Sequence, residues 1–187
     1  MDSPKISLIL GGARSGKSAY AQNLAEQSAA RVLFVATAQA GDAEMKNRIK
    51  KHQQNRPSTW INLETPLNVG REILNFWGNL SPDRQPQMIL VDCMTLLVSN
   101  IILAQQNPED EEMVENAINE EYLGFELAFK KIPVNWMIIS NEVGLGLVPP
   151  YPVGRVYRDA LGRFNQQLAA IATEVNFLVA GVPLRIK

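Results

Sequence analysis

The chain carries one cysteine and one histidine in 187 residues. A lone Cys93 cannot close an intramolecular disulfide and fits a reducing compartment, and the lack of a His and Cys cluster argues against structural zinc. Charge of either sign is also in short supply as a surplus: 18 Lys and Arg stand against 19 Asp and Glu, for a net charge of −1. Such a balance gives no general attraction to nucleic acid or to an anionic membrane surface. Long hydrophobic runs are missing as well. The longest, such as Met137-Ile138-Ile139, are of strand size, far short of the roughly 20 apolar residues that a membrane-crossing helix needs. Met1-Asp2-Ser3-Pro4-Lys5 leads into the first apolar run with no basic segment followed by an apolar stretch of signal-peptide length. The expectation is a cytoplasmic protein without membrane insertion. Repeats and low-complexity segments are absent, and connectors such as Gln105-Gln106-Asn107-Pro108 and Leu80-Ser81-Pro82-Asp83 are too short to be domain linkers. Residues 1–187 therefore read as one domain.

What is present begins at Ile6. The apolar run Ile6-Ser7-Leu8-Ile9-Leu10 is followed directly by Gly11-Gly12-Ala13-Arg14-Ser15-Gly16-Lys17-Ser18, which fits the phosphate-binding loop pattern G-x-x-x-x-G-K-[ST]. Placement between a strand and a helical pattern (Ala21, Leu24, Ala25) is what separates this match from a chance glycine-rich turn. It aims backbone N–H groups and the positive end of a helix dipole at one point, where a phosphate chain sits. Lys17 is then the group that reaches the outer phosphates, and the Ser18 hydroxyl a magnesium ligand. The chain is expected to bind a nucleoside triphosphate.

Short apolar runs alternate with longer helical patterns, the mark of an α/β fold whose central sheet is mostly parallel, with helices on its faces. Strands are expected at Ile6–Leu10, Val32–Ala36, Met88–Asp92, Trp136–Ser140 and Phe177–Ala180. The segment from Glu109 to Ile132 puts Val114, Ile118, Phe125, Phe129 and Ile132 on one helix face. The segment from Arg155 to Val175 does so with Tyr157, Leu161, Phe164, Leu168, Ile171 and Val175. These stripes read as core packing.

Two features invite chemistry. Asp92 ends the strand Met88–Asp92, where ligand groups of a parallel sheet gather, so it stands either as a magnesium ligand beside Ser18 or as the cap of a helix beginning at Met94. His52 lies in the cationic stretch Arg48-Ile49-Lys50-Lys51-His52-Gln53-Gln54-Asn55-Arg56-Pro57. A histidine in a polar stretch is usually a solvated surface residue. Here the neighbouring cations attract polyphosphate and favour the neutral imidazole, a competent nucleophile toward phosphorus.

The phosphate loop, Ala36-Thr37, Asp42 with Glu44-Met45, Arg48-Ile49, His52 with Arg56-Pro57, and Trp60 follow one another in an order that resembles the bifunctional cobinamide enzymes of bacterial cobalamin synthesis. The likeness continues through Val91-Asp92-Cys93-Met94-Thr95, Ser140-Asn141-Glu142-Val143-Gly144-Leu145-Gly146-Leu147-Val148-Pro149, Arg158-Asp159 with Gly162, Asn165-Gln166 and the tail from Ala180-Gly181 to Ile186-Lys187. The resemblance implies a P-loop NTPase fold of the RecA-like kind. It also implies two activities on one substrate, adenosylcobinamide kinase and adenosylcobinamide-phosphate guanylyltransferase, with ATP and GTP as nucleotides and Mg2+ as cofactor. By motif position His52 becomes guanylylated and Lys17 serves the reacting phosphates. Gly11, Gly12, Ala13, Arg14, Ser15, Gly16, Lys17 and Ser18 hold them, while Ala36, Thr37, Ala38, Gln53, Gln54, Asn55, Arg56, Glu64 and Asp92 line the guanine nucleotide site. Ser18 and Asp92 are the metal ligands. A homotrimer with nucleotide sites at subunit interfaces is implied too. In Pro149-Pro150-Tyr151-Pro152-Val153-Gly154 the chain departs from the family's usual Leu-Ala ahead of Arg155. Arg155 and Arg158 are left as candidates for phosphate contact or for salt bridges on a helix face.

Because the two reactions attack different phosphorus atoms, the nucleotide must shift or the histidine segment must swing, and Gln39 to Asn55 is the expected moving element. A guanine-nucleotide switch would need Asn-Lys-x-Asp where this chain has Asn141-Glu142-Val143-Gly144. A motor or recombinase-type ATPase would share the fold but bind nucleic acid, against which the charge balance speaks. A kinase or guanylyltransferase with one activity alone is left open.

Overall fold

The computed structural model describes residues 4–29, 31–39 and 57–187. Strand β1 (Ile6–Gly11) runs into helix α1 (Lys17–Ser28), and β2 is Val32–Ala36. Then come β3 (Ile61–Glu64), α2 (Val69–Gly78), a 3-10 turn at Pro82–Arg84, β4 (Met88–Asp92), α3 (Met94–Leu103) and α4 (Glu111–Lys131). The chain closes with β5 (Asn135–Ile139), α5 (Pro152–Ile171), β6 (Glu174–Val179) and β7 (Val182–Arg185).

Among the described residues, seven strands form one sheet in the order β3-β2-β4-β5-β1-β6-β7. All neighbours are parallel except β6 and β7. This is the expected α/β arrangement with a mostly parallel central sheet, and β5 lies between the phosphate-loop strand β1 and the acidic strand β4. Alternation along each strand divides the core between the two sheet faces. Leu8, Leu33, Val35, Ile89, Val91, Trp136 and Ile138 pack with α2, α3, α4 and α5. Ile9, Val32, Phe34, Met88, Leu90, Met137 and Ile139 face the other way, toward Ala21 and Ala25 of α1. Trp60 closes that side by stacking on Phe34, with ring centroids 6.1 Å apart.

The expected strands are all present, with edges moved. Val175, read as the end of a helix, is a buried residue of β6, since α5 ends at Ile171 and Ala172 is extended. Helix α5 also starts earlier than expected, with Pro152 in its first turn, where a missing N–H costs nothing. Helix α4 matches its stripe closely. Asp110 accepts a hydrogen bond from Met113 N at 3.0 Å, Glu111 and Glu112 lie in the first turn, and Lys130 and Lys131 lie in the last. Strands β3 and β7 and helix α2 add to the elements read from the sequence, and α3 is the helix expected to begin at Met94.

Helices α2 and α4 meet at two glycines. A Cβ on Gly70 would collide with the backbone of Gly124 and Phe125, so only glycine lets the axes come this close. Asn68, the cap residue of α2, has a left-handed backbone and makes no side-chain cap bond. The buried Glu121 of α4 supplies the cap instead, accepting from Asn68 N at 2.8 Å and Gly70 N at 3.4 Å.

Candidate nucleotide site

Parallel strands put their carboxyl ends on one edge of the sheet, and the register shows what gathers there. Ala36 pairs with Asp92 and with Glu64, Asp92 with Ile139, Ile139 with Ile9, and Gly11 with Leu178. The loop Gly12 to Gly16 leaves this edge and feeds α1.

The loop's shape depends on its glycines and on what lies under it. A Cβ on Gly11 would stand 2.6 Å from the Leu178 carbonyl oxygen and 2.7 Å from Ser15 Oγ. Gly16 caps α1 at φ 93°, a left-handed conformation that disfavours any side chain. Beneath it, the β6–β7 turn uses Ala180 and Gly181, both with positive φ, as two-residue hairpin turns do. Gly181 N donates to Ser15 O at 2.9 Å. The antiparallel end of the sheet thus buttresses the phosphate loop.

Lys17 is 8% exposed, and its ammonium donates to the Gly12 carbonyl at 2.7 Å, with Ser15 Oγ at 3.5 Å. Burial lowers its pKa, while Cys93 and Asp92 pull it back up. Asp92 therefore lies within electrostatic reach of the loop lysine. Ser18, in the first turn of α1, is half-buried; Ala13 and Arg14 are exposed. The cap of α3 is Cys93 rather than Asp92, and it makes no side-chain cap bond. That removes the capping alternative for the aspartate. The Cys93 thiol itself is pushed up to about 11, first by burial and then by Asp92, so it stays protonated and unreactive at neutral pH.

Thr37 is fully buried and holds its corner of the site together. Its hydroxyl donates to the Cys93 carbonyl at 2.7 Å and accepts from Cys93 N at 2.9 Å. Its carbonyl accepts from Asn100 Nδ2 at 2.8 Å, and that amide also reaches the Pro66 carbonyl at 3.1 Å. Thr37 thus ties the end of β2 to Cys93 after β4 through its hydroxyl and to α3 through its carbonyl, with Ala36 and the half-buried Ala38 on either side of it. Glu64 is exposed at the end of β3, an edge strand. His52, Gln53, Gln54, Asn55 and Arg56 lie outside the described residues, as does Gln39 to Asn55 beyond Gln39 itself.

On the other flank, Ser140 N donates to Ile9 O at 3.0 Å and Glu142 N to Gly11 O at 3.1 Å, so the segment after β5 is tied to the base of the phosphate loop. Asn141 N donates to Thr95 Oγ1 at 2.9 Å. Arg155 Nη1 donates to the carbonyls of Pro149, at 3.2 Å, and Pro150, at 3.0 Å. It braces the proline-rich loop. Arg158 Nε pairs with Asp159 at 3.0 Å. The roles of Asn100, Gly181 and Thr37 as ties are not legible in sequence, because each works through contacts far along the chain.

The chain matches the cobinamide kinase / cobinamide phosphate guanyltransferase (CobU) family over residues 7–186. The bifunctional adenosylcobalamin biosynthesis protein CobU of Escherichia coli K12 is 37% identical over 185 residues, covering 96% of this chain and 98% of that protein. The CobU of Salmonella typhimurium is 38% identical over 185 residues, with the same coverage. The CobP of Pseudomonas aeruginosa is 38% identical over 180 residues, covering 96% of each chain. Among solved structures, a RadB recombinase superposes on 94% of this chain and 74% of that one, with a TM-score of 0.49 and 12% identity. The chain belongs to the cobinamide kinase / cobinamide phosphate guanyltransferase family.

Proposed function

We propose that this protein phosphorylates adenosylcobinamide with ATP or GTP and then attaches GMP to the product through His52, giving adenosylcobinamide-GDP. Family membership supports both activities, and the observation that carries the reading is the loop itself. Lys17 is buried against Gly12 at the head of α1, within electrostatic reach of Asp92.

In the kinase step the substrate hydroxyl oxygen attacks the γ-phosphorus, the bond to the β,γ-bridging oxygen breaks, and the hydroxyl proton passes to solvent. Loop amides and Lys17 hold the phosphates in line and stabilise the charge that grows on the departing diphosphate. In the guanylyl step the neutral imidazole of His52 attacks the α-phosphorus and pyrophosphate leaves. A phosphate oxygen of cobinamide phosphate then displaces the histidine, breaking the P–N bond. Lys17 serves both steps because the charge that develops falls on the same phosphates. Ser18 and Asp92 supply a hydroxyl and one carboxylate, and among the described residues no group of three or more His, Cys, Asp or Glu gathers to hold a resident metal. That sparse oxygen set fits Mg2+ arriving with a nucleotide and keeping several of its waters. When bound, the ion neutralises charge on the phosphate oxygens.

The Lys17→Ala variant tests the shared site. Both phosphorylation of adenosylcobinamide and GMP transfer should fall by about 100-fold or more, as when a donor to developing charge is removed. Retention of either activity near the wild-type rate would contradict one shared phosphate site. No helix among the described residues is long and apolar enough to cross a membrane.

A further inference from the structure

Beside the phosphate loop, on the side of α5, lies an open concavity of about 480 Å³. Its walls include Leu10, Glu142, Arg158, Gly162, Asn165 and Gln166. We propose that this concavity seats the cobinamide substrate by its amide-bearing rim and its alcohol arm, with Arg158 receiving the arm once it is phosphorylated. The proposal rests on the functional reading above and names the half of that site which the nucleotide motifs leave unassigned.

Leu10 immediately precedes Gly11, and Glu142 N is bonded to the Gly11 carbonyl at 3.1 Å. An acceptor lying in the concavity is therefore next to the loop that holds the donor phosphates, which an in-line transfer between two bound substrates requires.

Gly162 sits inside the twenty-residue helix α5, where glycine is the poorest helix former short of proline. A Cβ placed there would meet nothing within 4 Å. No neighbouring element needs the missing side chain, in contrast to Gly70, so the gap serves the open space it borders.

Cobinamide carries primary amides around its ring, each both a donor and an acceptor. The wall offers both kinds: the Glu142 carboxylate, the Gln166 amide, and Asn165, which is 5% exposed. Asn165 Nδ2 donates to the Asn141 carbonyl at 3.0 Å, but its buried Oδ1 has no partner among the described residues. A buried acceptor without a donor is costly, and a substrate amide supplies what it lacks. Arg158 spends Nε on Asp159; its two terminal nitrogens are the donors left for a phosphate.

The test uses Gly162→Ala, Gly162→Leu and Arg158→Gln in the whole protein, with thermal melting, solution mass, uptake of label from α-labelled GTP, and KM for adenosylcobinamide and its phosphate. Gly162→Ala should melt no lower than wild type. Gly162→Leu should raise KM for both cobinamide substrates at least tenfold while label from GTP still enters the chain. Arg158→Gln should raise KM for the phosphorylated substrate at least tenfold and that for the unphosphorylated one by less than threefold. Unchanged KM values in Gly162→Leu beside an active wild type would overturn the proposal alone. So would parallel loss of GTP labelling, which would make the concavity part of the nucleotide site, or a changed solution mass, which would make it a contact between copies. A wild type that neither phosphorylates nor guanylylates would overturn the functional reading, and this proposal with it.

Discussion

Glu121 is a carboxylate largely buried between α2 and α4, so its titration is tied to folding. Burial raises its pKa from the ordinary 4.5, and the N–H groups of Gly70, Asn68 and Val69 and the charge of Arg71 oppose that shift without cancelling it. The folded protein thus holds this proton to higher pH than the unfolded chain does. Stability is greatest below the unfolded value and is lost as pH rises through the folded one. Urea unfolding of wild type beside Glu121→Gln should show wild type losing stability relative to the variant as pH rises above 4.5. Parallel curves would mean that the cap bonds and Arg71 cancel the effect of burial, and a relative gain for wild type that they outweigh it. Glu121 was not legible as a buried residue, because a carboxylate among Glu111, Glu115 and Glu126 on an amphipathic helix reads as part of the solvated face. Lys17 was legible, because a phosphate loop is specified by residues adjacent in sequence and acts mainly through its own backbone. His52 stands between these cases: its chemistry can be read from its cationic neighbours, and its placement lies outside the described residues.

At the scale of elements, the crossing of α2 and α4 makes a sharp contrast between two glycines. Gly70→Ala would drive a methyl into the Gly124 backbone, whereas Gly124→Ala meets its nearest neighbour, Arg71, at 3.7 Å, an ordinary contact. Overpacking of this kind costs about 2–3 kcal/mol, while alanine in place of a helical glycine gains up to about 1 kcal/mol. Denaturant unfolding should therefore show Gly70→Ala well below wild type and Gly124→Ala level with it or above. Equal losses would contradict the packing described. The crossing was invisible to periodicity, as was α3, which lacks a polar face because Met94, Leu97, Val98, Ile101 and Ile102 are all buried. Strand β3 has only four residues with two apolar ones, Ile61 and Leu63, and β7 contains Pro183 and stays exposed as an edge. The overrun of α5 to Val175 has a simple cause: Val175 follows Ile171 by four residues, so a core position of β6 continued the helical stripe.

For the whole molecule, the sheet order places the phosphate loop, Asp92 and the segment after β5 on one edge, and the two proposed transfers use that edge in turn. We infer from the family resemblance that three copies assemble around it. Leu145, Leu147 and Val148 project from the loop after β5 with 81%, 96% and 62% of their surface exposed, an unusual cluster for a surface left in water. Sedimentation equilibrium should give the mass of three chains; a single-chain mass at micromolar concentration would sink the trimer. The fold class could be read in advance because β1, β2, β4 and β5 are buried apolar runs bounded by turn residues. The proposed cobinamide seat could not, since its walls come from α5 and the loop after β5, which only folding brings to the same space.

The central claim is that one chain carries a guanylyl group on His52. The most direct measurement mixes the protein with magnesium and GTP labelled at the α-phosphate, denatures it, and looks for acid-labile label on the chain, with His52→Ala beside it. Label on the wild type alone is the predicted result. No label on a folded wild type that binds GTP would contradict it and leave a phosphate-loop kinase without covalent transfer.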